Sequence, residues 1–145
     1  MTARAFLARL ATDRDGSMAV EFALLGPVVF GLFLGVFQIG VGMHGYNALR
    51  GISSDVARNA VINYQSDNDL TNSQLADYAT NVAVSAPYML TADDVEISIG
   101  NAATQRVTGA KELTFTIEYQ VPSFLTVIGI DSFPISYSRP IFVIA

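Results

Sequence analysis

Residues 16–43 read GSMAVEFALLGPVVFGLFLGVFQIGVGM, and the reading of this stretch decides the rest. From Phe22 to Met43 every residue is apolar except Gln38, and nothing from Phe22 to Leu49 is charged when His44 is neutral. At about 1.5 Å per residue a helix over that run is roughly 33 Å long, which matches the hydrocarbon thickness of a bilayer. One membrane-spanning helix is predicted, with Tyr46 just past its end at the outer interface. A cleavable secretory signal is the competing reading. Its apolar core runs about 7 to 15 residues and ends at small residues of A-x-A type, whereas this run is longer and ends GVGMHGY.

The flanks orient the helix. Residues 1–16 hold Arg4, Arg9 and Arg14 against Asp13 and Asp15, a short basic leader. The remainder holds five basic and eleven acidic residues, so the chain's net charge of -5 divides into a leader of +1 and a body of -6. The positive-inside bias places the N-terminus in the cytoplasm and the C-terminal residues outside. At 145 residues, 51% hydrophobic, 14% charged and mean hydropathy +0.39, the chain is one domain's length and too apolar for disorder. Its acidity argues against a nucleic-acid partner, since phosphate contacts need a basic surface. With no cysteine there is neither a disulfide framework nor a thiolate metal site.

Glu21 is the one charge that intrudes on the apolar run. A carboxylate near the head of a membrane helix is costly at depth and cheaper at the interface, where the helix dipole favours it. The string around it says more. A basic leader ending in Gly16, four residues from Ser17 to Val20, then Glu21 followed by Phe22 and an unbroken apolar helix, resembles the type IV prepilins. More narrowly, Ala19–Gly40, with Val20-Glu21-Phe22-Ala23-Leu24 and then Pro27, resembles the TadE-like family of the tight-adherence pilus system. The resemblance covers about the first third of the chain.

It implies cleavage between Gly16 and Ser17 by a prepilin peptidase, with Gly16 required because a side chain there would block the enzyme. Glu21 becomes the fifth residue of the cleaved chain, where the new ammonium group or a neighbouring subunit would neutralise it. Many members carry a second acidic residue in the outer half of the helix; here the neutral Gln38 stands instead.

Gly31, Gly35, Gln38, Gly42 and Gly45 follow one another at spacings of 4, 3, 4 and 3, which puts them on one helix face. Small residues let another helix approach closely, and a glutamine among them can hydrogen-bond across, so this face is expected to pack against a neighbouring membrane helix. Pro27 has no amide hydrogen and frees the carbonyl of Ala23, predicting a kink or a melted turn nearby.

Beyond the membrane Leu49, Ile52, Val56, Ala60 and Tyr64 recur at helical spacing, an amphipathic continuation that stops near Tyr64. Thr71 and Gln74 form a capping box, stapled by Leu70 and Leu75, for a second helix over about Asn72–Ser85 with Leu75, Tyr78, Ala79, Val82 and Ala83 inward. After Pro87 the period becomes two, in Val95–Ile99, Leu113–Val121 and the segment entered at Ile135. Three antiparallel strands are predicted, joined by Asn101–Gly109 and Pro122–Pro134. The fold class is α+β, divided into a leader at 1–16, a membrane helix at 17–45 and an extracytoplasmic domain at 46–145. Ser123–Ile130 (SFLTVIGI) is open between strand, hairpin tip and exposed apolar loop.

His44 is the single histidine and sits at the membrane boundary, a poor place to assemble a triad or a metal site. Asp67-Asn68-Asp69 begins like a calcium loop, but Asn72 and Tyr78 stand where glycine and glutamate are needed. Asp93, Asp94 and Glu96 read as a solvated turn. No phosphate-binding glycine loop is present, so no enzyme, cofactor or small-molecule substrate is expected.

The resemblance thus implies a minor pilin or pseudopilin of the inner membrane of a Gram-negative bacterium, with its C-terminal domain periplasmic and then extracellular once assembled. Its partners would be the prepilin peptidase, other pilin subunits, the assembly platform and membrane lipid; adhesion and biofilm formation would follow. The alternative is an uncleaved single-pass scaffold of the same apparatus. A third class, an anchored enzyme or binding module, would require a pocket with convergent polar groups.

Overall fold

The computed structural model describes residues 16–126 and 129–144. The leader arginines and part of the 123–130 stretch lie outside the described residues. The fold is α+β: a long helix α1 (Ser17–Gln65), a second helix α2 (Asn72–Val84), a single 3-10 turn (Ala92–Asp94), then strands β1 (Val95–Asn101), β2 (Lys111–Val121) and β3 (Phe133–Val143). The chain divides into two units, residues 1–37 and 38–145.

In the first unit, α1 buries nothing. Every large apolar side chain from Met18 to Phe37 except Leu34 is half or more exposed. An apolar surface of that extent on all sides cannot be left to water, and the helix is long and apolar enough to cross a membrane. Helical structure runs through Pro27 without a break, so the melted turn anticipated there does not occur.

In the second unit α1 turns amphipathic. Leu49, Ile52, Val56, Ala60 and Tyr64 are all buried, as their spacing predicts. The helix ends where Asp67 adopts a left-handed φ of 54°. This lets Asp67 N–H reach the Tyr64 carbonyl and Asn68 N–H reach that of Asn63, at 3.3 and 3.0 Å, the double closure of a Schellman end. The capping box of α2 is complete: Gln74 N–H donates to Thr71 Oγ1 at 3.2 Å, and Thr71 N–H to Gln74 Oε1 at 2.9 Å. Leu75, Ala79 and Ala83 are its buried side; Tyr78 and Val82 are half-buried.

The strands form an antiparallel meander in the order β1-β2-β3, with Ile97, Ile117 and Tyr137 in register across it. Leu113, Phe115, Ile117, Tyr119 and Val121 alternate onto the face covered by the helices. Thr114, Thr116, Ser98 and Ser138 lie on the open face, where the Thr116 and Ser138 hydroxyls pair at 3.0 Å. Each fully buried Leu, Ile or Phe of this two-layer core contributes about 1.5–3 kcal/mol.

One strand bound differs from expectation, and one open segment is decided. β3 begins at Phe133, so Phe133 and Pro134 belong to the sheet opposite Val121 and Gln120. β3 is an edge strand, where proline is tolerated, and Pro134 and Pro140 are six apart, so their missing donors fall on one side. The 123–130 stretch is a loop in its described residues, closed by Ile130 N–H to Leu125 C=O at 3.2 Å.

Sequence reading gave no sign of two buried polar features. The Glu112 carboxylate, 3% exposed, accepts from Arg106 Nε at 2.8 Å and Arg106 N–H at 3.0 Å, and also from Arg106 Nη2. Glu112 N–H donates to Gln105 Oε1 at 2.6 Å. This set closes the β1–β2 turn around Gly109, whose φ of +83° suits glycine. The Arg106 hydrogen bonds hold Glu112 below the usual carboxylate range. Ser53 Oγ, in the core, is buried with no hydrogen-bond partner among the described residues.

Two outcomes follow for the full chain in detergent. Because the folded Glu112 titrates below its ordinary value of 4.5, its stabilisation is complete above that pH and disappears as pH falls through the depressed value. Glu112→Gln should therefore be less stable than wild type at neutral pH, with the gap closing in acid, by thermal unfolding. Ser53→Ala removes an unsatisfied hydroxyl and should raise stability by about 1 kcal/mol; a loss of that size would show that the hydroxyl is bonded.

Candidate functional site

Among the described residues nothing packs against the head of α1. Gly16 is exposed, and a Cβ built there meets nothing within 4 Å. Its carbonyl accepts a helical bond from Val20 N–H at 3.1 Å, so the Gly16–Ser17 peptide sits at the start of α1. One turn on, Ser17 Oγ donates to Glu21 Oε1 at 3.5 Å, at the limit of a hydrogen bond. Glu21 and Phe22 are both exposed. The structure thus brings Ser17 and Glu21 together on one face of the helix.

The glycine face divides in two. Gly31 and Gly35 have open space where a side chain would be. Gly42 and Gly45 do not: a Cβ at Gly42 would lie 3.3 Å from the Phe133 ring, and one at Gly45 would lie 3.1 Å from Ile135 Cδ1 and 3.5 Å from Tyr119. Between the two pairs stands Gln38, 5% exposed. Its Nε2 donates to the Pro122 carbonyl at 2.9 Å, and its Oε1 accepts from Phe124 N–H at 2.9 Å. The side-chain amide therefore pairs with the β2–β3 loop as a neighbouring strand would. Gln38, Gly42 and Gly45 were expected to meet a second membrane helix; they are used within the chain, because β3 and its preceding loop lie against that face.

The other polar groups form local locks. Tyr88 OH donates to Asp55 Oδ2 at 2.8 Å, and burial first, then this bond, raises the Tyr88 pKa. Both line a cleft of about 490 Å³ between α1 and α2, with Arg58, Asn59 and Asn81 around them. Lys111 Nζ donates to Tyr64 OH at 3.0 Å. His44 is exposed beside Asn47, Pro87 and Tyr88. Among the described residues no three His, Asp or Glu side chains converge as a metal site would require.

Residues 16–58 match the family model of TadE-like proteins. That segment takes in the Gly16–Phe22 string, the whole glycine face and the start of the buried stalk. No curated protein and no solved structure matches the chain. The family implies a protein associated with the tight-adherence pilus, and the single apolar helix near the N-terminus is consistent with one membrane pass.

The divided glycine face is testable by substitution. Gly45→Leu must displace Ile135 and Tyr119 and should destabilise the folded domain by about 1–3 kcal/mol. Gly35→Leu should leave thermal unfolding unchanged, so that any loss of pili it causes is intermolecular. Equal destabilisation by both would contradict this division.

Proposed function

We propose that this chain is a minor pilin or pseudopilin of a tight-adherence pilus, cut between Gly16 and Ser17 and anchored by α1. In this reading it is the substrate of a prepilin peptidase and not itself an enzyme. Its partners are that peptidase, other pilin subunits, the assembly platform and lipid. The observation that carries the reading is the head of α1: an exposed glycine at the start of the helix, followed one turn later by an exposed carboxylate at the edge of a largely exposed apolar helix surface.

The chemistry supports it. Gly16 presents its scissile carbonyl with no side chain to obstruct an approaching active site. The basic leader keeps that bond on the cytoplasmic face. Cleavage would create an ammonium group on Ser17, one helical turn from Glu21. In a low-dielectric setting the two attract strongly, within one subunit or between neighbours, and the attraction offsets the desolvation of both. Assembly would then be favoured only for cleaved subunits. The open space at Gly31 and Gly35 offers close approach to a second apolar helix. Adhesion and biofilm formation follow as roles of the assembled filament, with the folded domain periplasmic before assembly and extracellular after it.

Intact-mass measurement of the chain isolated from cells making the apparatus should give a protein that begins at Ser17. Gly16→Leu should retain residue 1 as its first residue and abolish pili. A wild-type chain that keeps Met1 in piliated cells would instead identify an uncleaved scaffold, with Glu21 merely interfacial. Glu21→Gln should be processed normally and fail at assembly; unimpaired piliation would remove the charge-pairing role.

A further inference from the structure

The β2–β3 loop exposes apolar side chains at a defined height on α1. Gln38 bonds to Pro122 and Phe124, so this part of the loop lies level with residue 38. Ser123 Oγ donates to the Ile130 carbonyl at 2.6 Å, and Ile130 N–H donates to Leu125 C=O, which holds Ile130 at the same level. The strand that follows climbs alongside the helix, since Phe133 meets Gly42 and Ile135 meets Gly45. Phe124 is 51% exposed and Ile130 47%, and on α1 itself Ile39 and Met43 are 65% and 64% exposed. Between α1 and the start of β3 these continue into an open apolar groove of about 370 Å³.

That level matters if α1 spans the membrane. Non-helical backbone exposed to lipid is not tolerated in hydrocarbon, so the crossing must end about where Pro122 and Phe124 meet Gln38. Ser17–Phe37 at about 1.5 Å per residue still covers roughly 31 Å, sufficient for the core. Residues level with Gln38 to Met43 then fall in the interfacial layer, where exposed apolar and aromatic side chains are stabilised.

We propose that the β2–β3 loop is a membrane-contacting element: Phe124 and Ile130, beside Ile39 and Met43, insert into the outer interfacial layer of the bilayer that α1 crosses, held at that depth by Gln38. The occupant of this surface is lipid, because Gln38, which holds the loop, follows directly in the chain on Phe37, the last residue of the proposed span. From Pro122 to Ile135 the only charged residue is Asp131, so headgroup attraction contributes nothing and the contact is apolar. The inference rests on the membrane-span part of the proposed function and not on cleavage.

The chain has no cysteine, so single cysteines can carry an environment-sensitive fluorophore in the full chain, reconstituted in phosphatidylcholine vesicles with a shallow nitroxide-labelled lipid. Phe124→Cys and Ile130→Cys are the test positions. Leu32→Cys reports the span, and Thr104→Cys, on the β1–β2 loop at the other end of β2, reports the far end of the sheet. Labels at 124 and 130 should be quenched about twofold or more beyond the label at 104, unchanged by salt and by dilution of protein in lipid. Quenching at 124 and 130 no greater than at 104, with 32 shielded, overturns the proposal and leaves the span standing. A label at 32 open to aqueous quencher overturns both. Shielding at 124 and 130 that vanishes on dilution assigns the surface to a second copy and overturns the lipid contact.

Discussion

One helix has to satisfy two environments, and the changeover at Gln38 is the constraint on which the rest depends. Before that residue, α1 has no buried side chain. After it, every third or fourth residue disappears under the sheet or the second helix. A continuous helix carries no internal boundary, since its backbone bonds are identical throughout. The boundary must come from a side chain, and a glutamine amide with one donor side and one acceptor side can hold a passing strand-like segment in place. Leucine at this position would leave the Pro122 carbonyl and the Phe124 amide without these partners, at a cost of about 1–3 kcal/mol each if they stay buried.

Much of this was legible because it is periodic or local. The buried row from Leu49 to Tyr64, the capping box at Thr71 and Gln74, and the alternation through β2 each arise from the repeat of a helix, a cap or a pleat, so sequence spacing alone displays them. The TadE-like resemblance, read from Val20–Leu24 and Pro27, is met by a family match over residues 16–58. What could not be read depends on which distant segment arrives. Glu112 is buried only because Gln105 and Arg106 fold over the turn, and an acidic residue at the start of a strand otherwise reads as solvated. Phe133 and Pro134 looked like loop because proline usually ends a strand, yet an edge position accommodates it.

The glycine face shows the same limit more sharply. Spacing placed five residues on one stripe. Spacing could not say that the stripe has two partners. A glycine admits whatever approaches it, another helix or a phenylalanine ring, and the helix bearing it is the same in both cases. Only the neighbours reveal that Gly42 and Gly45 serve the fold while Gly31 and Gly35 remain open.

The division has a consequence for Glu21. On the proposed span, a crossing limited at its outer end by Gln38 cannot run from Phe22 to Met43; it needs the residues from Ser17 onward to reach hydrocarbon thickness. Glu21 then lies about one turn, roughly 6 Å, inside the apolar segment and not at its rim. The helix dipole and interfacial water, which suffice for a carboxylate at the surface, weaken at that depth, while the cost of the bare charge rises. The sequence offers no lysine or arginine between Ser17 and Leu49 to compensate. On the proposed reading the cation comes from the new amino terminus or from another chain, and a glutamine that limits the crossing at its outer end makes that partner matter more at its inner one.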